Sequence, residues 1–159
     1  MKTTDAKDVL QLLQVAGKTL ATAESCTGGW VGKLLTDVPG SSSVYKGGVI
    51  SYTNEVKHAI LGVPQETLDA FGAVSHQTAE AMAEGVRRVL QTDLGAAVTG
   101  LAGPDGDGSG RPVGLVYIAV ADDRLTMYKQ LHLEGDRISI RQQACEELLA
   151  LVMTVLKAR

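Results

Sequence analysis

The sequence predicts an α/β protein, a three-layer α/β/α sandwich whose mixed, mostly parallel sheet closes with a C-terminal antiparallel hairpin. Two observations predict it. Short apolar runs alternate with amphipathic stretches as far as Val98, the pattern of strands joined by crossover helices. Two further apolar runs, 113–121 and 125–133, are then separated only by the turn Asp122-Asp123-Arg124, a connection that suits antiparallel neighbours.

Each element follows from its own signals. Residues 4–17 place Val9, Leu10, Leu12, Leu13 and Ala16 at helical spacing, with Thr4 or Asp5 as the cap. Residues 19–24 read as a strand, and 27–37 as a helix burying Val31, Leu34, Leu35 and Val38. The run 39–43 is a loop by composition. Residues 46–53 form a strand through Val49, Ile50 and Tyr52, and Thr53 or Asn54 caps a short helix containing Lys57 and Ile60. Gly62 ends that helix, and Pro64 suits the first turn of another. Ser75 caps a longer helix with Ala79, Met82, Ala83, Val86, Val89 and Leu90 on one face. Residues 94–98 are apolar enough for a buried strand, and the glycine- and aspartate-rich run 100–112 is a loop. After the hairpin, 138–157 closes as a helix that buries Ala144, Leu148, Leu151, Val152 and Val155.

Length and charge bound the function. A chain of 159 residues is expected to form one domain, 1–159, with a core large enough to need no disulfide or metal. A net charge of −3 with no basic run argues against a general nucleic-acid binder. No apolar run is long enough for a membrane span, and no signal-peptide pattern follows Met1. A cytoplasmic location with reduced thiols is expected, since Cys26 and Cys145 are far apart and match no metal spacing.

Three familiar motifs fail. Gly17-Lys18-Thr19 imitates the end of a Walker loop, but the first glycine would fall at Leu12, inside a helix. Gly106, Gly108 and Gly110 alternate, but Pro112 and a strand follow where a dinucleotide fingerprint needs a helix. The run 105–110 imitates an EF-hand start, but its bidentate Glu would be Val116. His58, His76 and His132 show no ligand spacing, and no metal or cofactor is expected.

Three segments remain: Ser25-Cys26-Thr27-Gly28-Gly29, Ser51 to Lys57, and Thr99 to Gly106. Each lies at or just past the end of a predicted strand, where ligands gather in open α/β sheets. The first is a strand-to-helix turn rich in nucleophiles and N–H donors, although a serine there is most often only a cap. Taken with Pro39-Gly40-Ser41-Ser42, Gly72-Ala73-Val74-Ser75, Pro112-Val113-Gly114 and Gly135-Asp136-Arg137, these segments closely resemble the family of the CinA carboxy-terminal domain. Stand-alone members of that family are nicotinamide-nucleotide amidases. The resemblance implies hydrolysis of the carboxamide of nicotinamide mononucleotide to nicotinic acid mononucleotide and ammonia, a step in pyridine-nucleotide recycling.

The residues can be read for that chemistry. Ser25 is the candidate nucleophile, and Cys26 is a rival, because a thiol at a helix N-terminus is the stronger nucleophile. The resemblance favours Ser25. No histidine stands in a motif, so Lys57 is the remaining candidate base, and the resemblance points to it as well. Its reference pKa of about 10.4 must then fall through burial or a nearby cation. Tyr52 is expected to relay or orient a proton between Ser25 and Lys57. The N–H groups of Thr27, Gly28 and Gly29 are expected to form the oxyanion hole. Thr99 and Gly100 are expected substrate contacts, and Arg137 the phosphate contact. Glu24 either orients Lys57 or sits at the rim. A homo-oligomer is expected, because a small domain with a rim site often borrows a neighbour to close it. Two other readings compete: a module that binds a pyridine nucleotide or a partner without turnover, and a phosphatase, for which only Asp105 and Asp107 hint at a metal cage.

Overall fold

The computed structural model describes residues 5–158. Strands β1 (Leu20–Glu24), β2 (Tyr45–Ile50), β3 (Leu94–Gly100), β4 (Leu115–Ala121) and β5 (Thr126–His132) form one sheet in the order β2-β1-β3-β4-β5. β1 pairs in parallel with both β2 and β3, while β4 is antiparallel to β3 and to β5. Four of the five strands therefore run in one direction, and the sheet is mixed, as the alternating pattern and the hairpin predict. The helices are α1 (Ala6–Ala16), α2 (Trp30–Thr36), α3 (Asn54–Ala59), α4 (Gln65–Phe71), α5 (His76–Leu90) and α6 (Arg137–Lys157). Among the described residues, no helix is long and apolar enough to cross a membrane.

The two faces of the sheet are built from side chains of different size. Leu20, Leu94, Val98, Val116, Ile118 and Val120 point to the face covered by α1, α2 and α6, where they pack on Leu13, Leu35, Leu148 and Val152. The alternate positions are Ala21, Ala23, Ala97, Ala119 and Ala121, which pack on Met82, Ala83 and Val86 of α5 and on Leu61 and Val63. Period-2 alternation of large and small residues thus sets two layer spacings. α5 comes so close that a Cβ on Gly95 would lie 2.1 Å from the Ala83 carbonyl oxygen.

Asp5 accepts from the Lys7 N–H and Ser75 from Thr78, as expected, and Asp136, for which no cap role was expected, accepts from the Ser139 N–H at the start of α6. Thr53, not Asn54, caps α3. The alternative first cap, Thr4, lies outside the described residues. Two expectations need correction. α2 begins at Trp30 rather than near residue 27, because Gly28 and Gly29 take φ of 59° and 103° and turn the chain before the helix starts. Val89, expected on the buried face of α5, is 47% exposed: it shares the face of Met82, but stands next to the last residue of the helix, Leu90, beyond the last fully buried position, Val86.

Because its Cβ would strike α5 backbone, Gly95→Ala should destabilise the fold by about 1–3 kcal/mol, the usual cost of overpacking. A urea titration measures it, and an unchanged midpoint would mean that α5 can retreat freely.

Candidate active site

The carboxyl ends of β1, β2 and β3 lie side by side, with Glu24 paired to Ile50 and to Val98. The three chemistry-bearing segments leave the sheet there and meet around a cavity of about 290 Å³. Ser25, Cys26, Tyr52, Asn54, Lys57, Thr99, Gly100, Asp105 and Arg137 are among the residues lining it.

Lys57 is 1% exposed although it belongs to the short helix α3. Thr53 starts that helix, and the lysine stem turns back beneath it toward β1. Its Nζ donates to Ser25 Oγ at 3.0 Å, to the Ser51 carbonyl at 2.8 Å and, weakly, to the Tyr52 carbonyl at 3.4 Å. No carboxylate is among these partners. Loss of hydration therefore dominates, and burial pulls the Lys57 pKa down to about 8, a nearby Cys26 pushing slightly the other way. A lysine in that range has a usable fraction of neutral amine near neutral pH. Ser25 is 7% exposed, its N–H held by the Val98 carbonyl at 3.0 Å.

Cys26 borders the same cavity, but burial pushes its thiol up to about 12. Proximity to the start of a helix does not offset that desolvation, so the thiolate needed for attack is scarce. Burial also pushes the Cys145 thiol up.

Several expected roles are filled differently. Tyr52 is 58% exposed, and its hydroxyl accepts from Arg137 Nη2 at 3.3 Å. Lys57 sits directly on Ser25, so there is no gap for the tyrosine to relay across; what Tyr52 gives the lysine is its carbonyl. Thr27 is fully buried, and its hydroxyl donates to Glu24 Oε1 at 2.6 Å. Gly28 N–H is occupied by the Ser25 carbonyl at 3.1 Å. Thr27, Gly28 and Gly29 line a separate depression with Trp30, Lys33 and Arg141, on the other side of the turn from the cavity. The residue of this turn that follows Ser25 into the cavity wall is Cys26.

Glu24 neither orients Lys57 nor stands at the rim. It is 2% exposed, and besides Thr27 it accepts from the Val31 N–H at 2.8 Å and the Gly32 N–H at 3.0 Å. A carboxylate from the end of β1 thus caps α2, where glycines leave no capping side chain. Thr99 and Gly100 do line the cavity. The Thr99 hydroxyl donates to the Ala73 carbonyl at 2.8 Å, and a Cβ on Gly100 would meet Val116 Cγ2 at 2.6 Å. Arg137 opens α6, with Nη1 on the Gly103 carbonyl and Nη2 on Tyr52, and so ties the glycine-rich loop to the rim of β2.

Sequence points to no site role for Ala73, Val74 or Arg141, to a cap role alone for Asn54, and to a metal cage alone for Asp105; the structure puts Asn54, Ala73, Val74 and Asp105 in the cavity lining. The signal for Arg141 was its spacing: it lies one turn beyond Arg137 and so shares its helix face.

Fold and site together define an α/β domain with a buried serine–lysine pair at the carboxyl rim of its parallel strands. The CinA C-terminal domain model matches residues 2–156, and the chain belongs to that family. A protein of Desulforudis audaxviator that carries a competence-damage inducible name is 51% identical over 150 residues, covering 94% of this chain and 36% of that protein. A CinA-like protein of Syntrophomonas wolfei is 46% identical over 149 residues, again 94% of this chain and 36% of the relative. The chain thus spans about a third of the length of these curated relatives. Among solved structures, the competence/damage inducible protein CihA of Agrobacterium tumefaciens superposes with a TM-score of 0.90 at 37% identity, over 96% of this chain and 93% of that one. A CinA superfamily protein of Enterobacter cloacae gives a TM-score of 0.92 at 33% identity, over 98% and 95% of the two chains.

Glu24→Gln replaces one acceptor oxygen with an NH₂ that faces an N–H or hydroxyl donor. It should cost about 1–3 kcal/mol, the penalty for a buried donor left unsatisfied, read from denaturant midpoints. Unchanged stability would mean that water reaches the start of α2.

Proposed function

We propose that this domain hydrolyses the carboxamide of nicotinamide mononucleotide, giving nicotinic acid mononucleotide and ammonia. One observation carries the reading: a fully buried lysine amine, shifted toward neutrality, on the hydroxyl of a serine that borders a cavity. The substrate is carried over from the family resemblance, and the contact between Lys57 and Ser25 supports reading them as base and nucleophile.

In this mechanism neutral Lys57 takes the hydroxyl proton as Ser25 Oγ attacks the carboxamide carbon. The tetrahedral intermediate collapses as Lys57 returns the proton to the departing nitrogen, and ammonia leaves. Water then attacks the Ser25 ester as Lys57 accepts its proton; the bond to Oγ breaks as Lys57 returns the proton to Ser25, and nicotinic acid mononucleotide departs. Thr99 and Gly100 shape the wall of the cavity beside the reacting serine. Arg137, exposed at the mouth, is the proposed contact for the phosphate. Asn54 and Asp105, polar residues of the cavity lining, are the proposed contacts for the ribose hydroxyls.

Ammonia release from nicotinamide mononucleotide, measured in EDTA, tests the reading. Ser25→Ala should abolish turnover, while Cys26→Ala should retain it. Loss in Cys26→Ala alone would transfer the nucleophile to the thiol, and binding of the nucleotide without turnover would favour a binding module.

The pH dependence has a definite sign. Only the neutral amine is active, so kcat/KM should rise with pH through about 8. The gain from pH 7 to the plateau should be roughly tenfold, the change in neutral fraction over that interval. Lys57→Arg, which keeps its proton, should lose at least about 100-fold, the low end of what a general base contributes. A flat profile would show that Lys57 is not the base.

A further inference from the structure

Arg141 stands on α6 and reaches the turn that carries Ser25. Its Nε donates to the Cys26 carbonyl at 2.9 Å and its Nη2 to the Thr27 carbonyl at 3.1 Å. The guanidinium carbon lies 5.4 Å from the centre of the Trp30 ring. Gly28 lies against the same group: a Cβ there would stand 3.4 Å from Arg141 Nη2. Two donors of a planar, rigid fork on two successive carbonyls fix both peptide planes. These peptides are trans, so drawing the Cys26 carbonyl toward α6 turns the Thr27 N–H the opposite way.

The turn needs an external hold. Two consecutive glycines at positive φ follow the serine, and glycine has the widest backbone freedom of any residue. Gly28 N–H to the Ser25 carbonyl and Trp30 N–H to the Thr27 carbonyl cross the turn, and Glu24 ties it through the Thr27 hydroxyl and the Val31 and Gly32 N–H groups, but none of these bonds reaches the Cys26 carbonyl. Ser25 directly precedes the clamped pair, and its Oγ must stay 3.0 Å from Lys57 Nζ. Arg141 is absent from the cavity lining, so its influence passes through the backbone.

We propose that Arg141 is a positioning residue for the Ser25 nucleophile, holding the Cys26 and Thr27 carbonyls so that the serine hydroxyl stays in register with the Lys57 amine. The proposal rests on the reading of Ser25 and Lys57 as the reactive pair. A purely structural arginine would change stability and leave the kcat of the folded protein intact.

The test uses the whole chain with Arg141→Met and Arg141→Lys, and reads two rates. One is steady-state hydrolysis of nicotinamide mononucleotide. The other is labelling of Ser25 by a fluorophosphonate, in which Ser25 Oγ forms a bond to phosphorus, fluoride leaves and Lys57 takes the proton. Arg141→Met should lower kcat by about 100-fold, the scale of a misplacement of about 1 Å, with KM within about twofold. Labelling should slow by a similar factor. Arg141→Lys keeps a cation over Trp30 but not the fork, so it should recover only part of both rates. It also carries the test if Arg141→Met does not fold.

Unchanged rates in the folded variants would overturn the proposal. A raised KM with kcat retained would also overturn it, since Arg141 would then be touching substrate. If the unmutated chain leaves the nucleotide intact yet labels at Ser25, and Arg141→Met slows that labelling, the amidase reading fails while the role of Arg141 stands. If the unmutated chain shows neither hydrolysis nor labelling, there is no reactive serine to position, and the proposal falls.

Discussion

Lys57 carries an amine into a place where only 1% of the residue meets solvent, and its partners there are two carbonyls and a hydroxyl. Burying an ammonium ion without a counter-charge costs several kcal/mol, and a carboxylate would have relieved it. Glu24, the carboxylate that adjoins Ser25 in sequence, is committed elsewhere, to two N–H groups and a hydroxyl at the start of α2. Keeping the carboxylate on the far side of the turn leaves the lysine's pKa low. The opposite arrangement would be more stable and would leave the amine protonated. The rest of the molecule offsets this locally unfavourable choice through two well-packed apolar layers.

The sheet's asymmetry decides where that amine ends up. Alanine and glycine on one face let α5 and the segments before it lie close to the strands. The run from Gly72 to Ser75 is then drawn against the end of β3, where the Thr99 hydroxyl holds the Ala73 carbonyl and the Thr78 hydroxyl holds the Gly72 carbonyl. On the other face α6 packs against the larger residues, and its first turns reach the rim through two arginines, Arg137 and Arg141, one helical turn apart.

Much of this was legible in the chain. Apolar runs marked the strands, helical spacing marked the longer helices, and cap residues and Pro64 marked the two short ones, because burial and capping leave a regular mark on sequence. The hairpin was legible because its turn is short and polar. Ser25, Lys57, Thr99 and Gly100 stood in segments that strand ends bring together. What could not be read was direction: which side of the Ser25 turn faces the cavity depends on two positive-φ glycines, and sequence does not say how far such a turn rotates. That rotation sends Thr27, Gly28 and Gly29 to the side away from Lys57. Tyr52 was misread for a related reason, since the chain leaves β2 at Ser51 and swings the ring out toward Arg137. Arg141 grips residues 115 and 114 positions earlier, a separation no local pattern records.

The dependence of the rim on α6 bears on how the protein comes into being. Ser25 and Lys57 precede α6 in the sequence, so the segments that carry them leave the ribosome before it does. The guanidinium groups that tie down the Ser25 turn and the Gly103 loop emerge only with α6. A nascent chain therefore holds its serine and its lysine well before it holds them in place. The serine–lysine contact is thus tied down by an element made after the segments that form it.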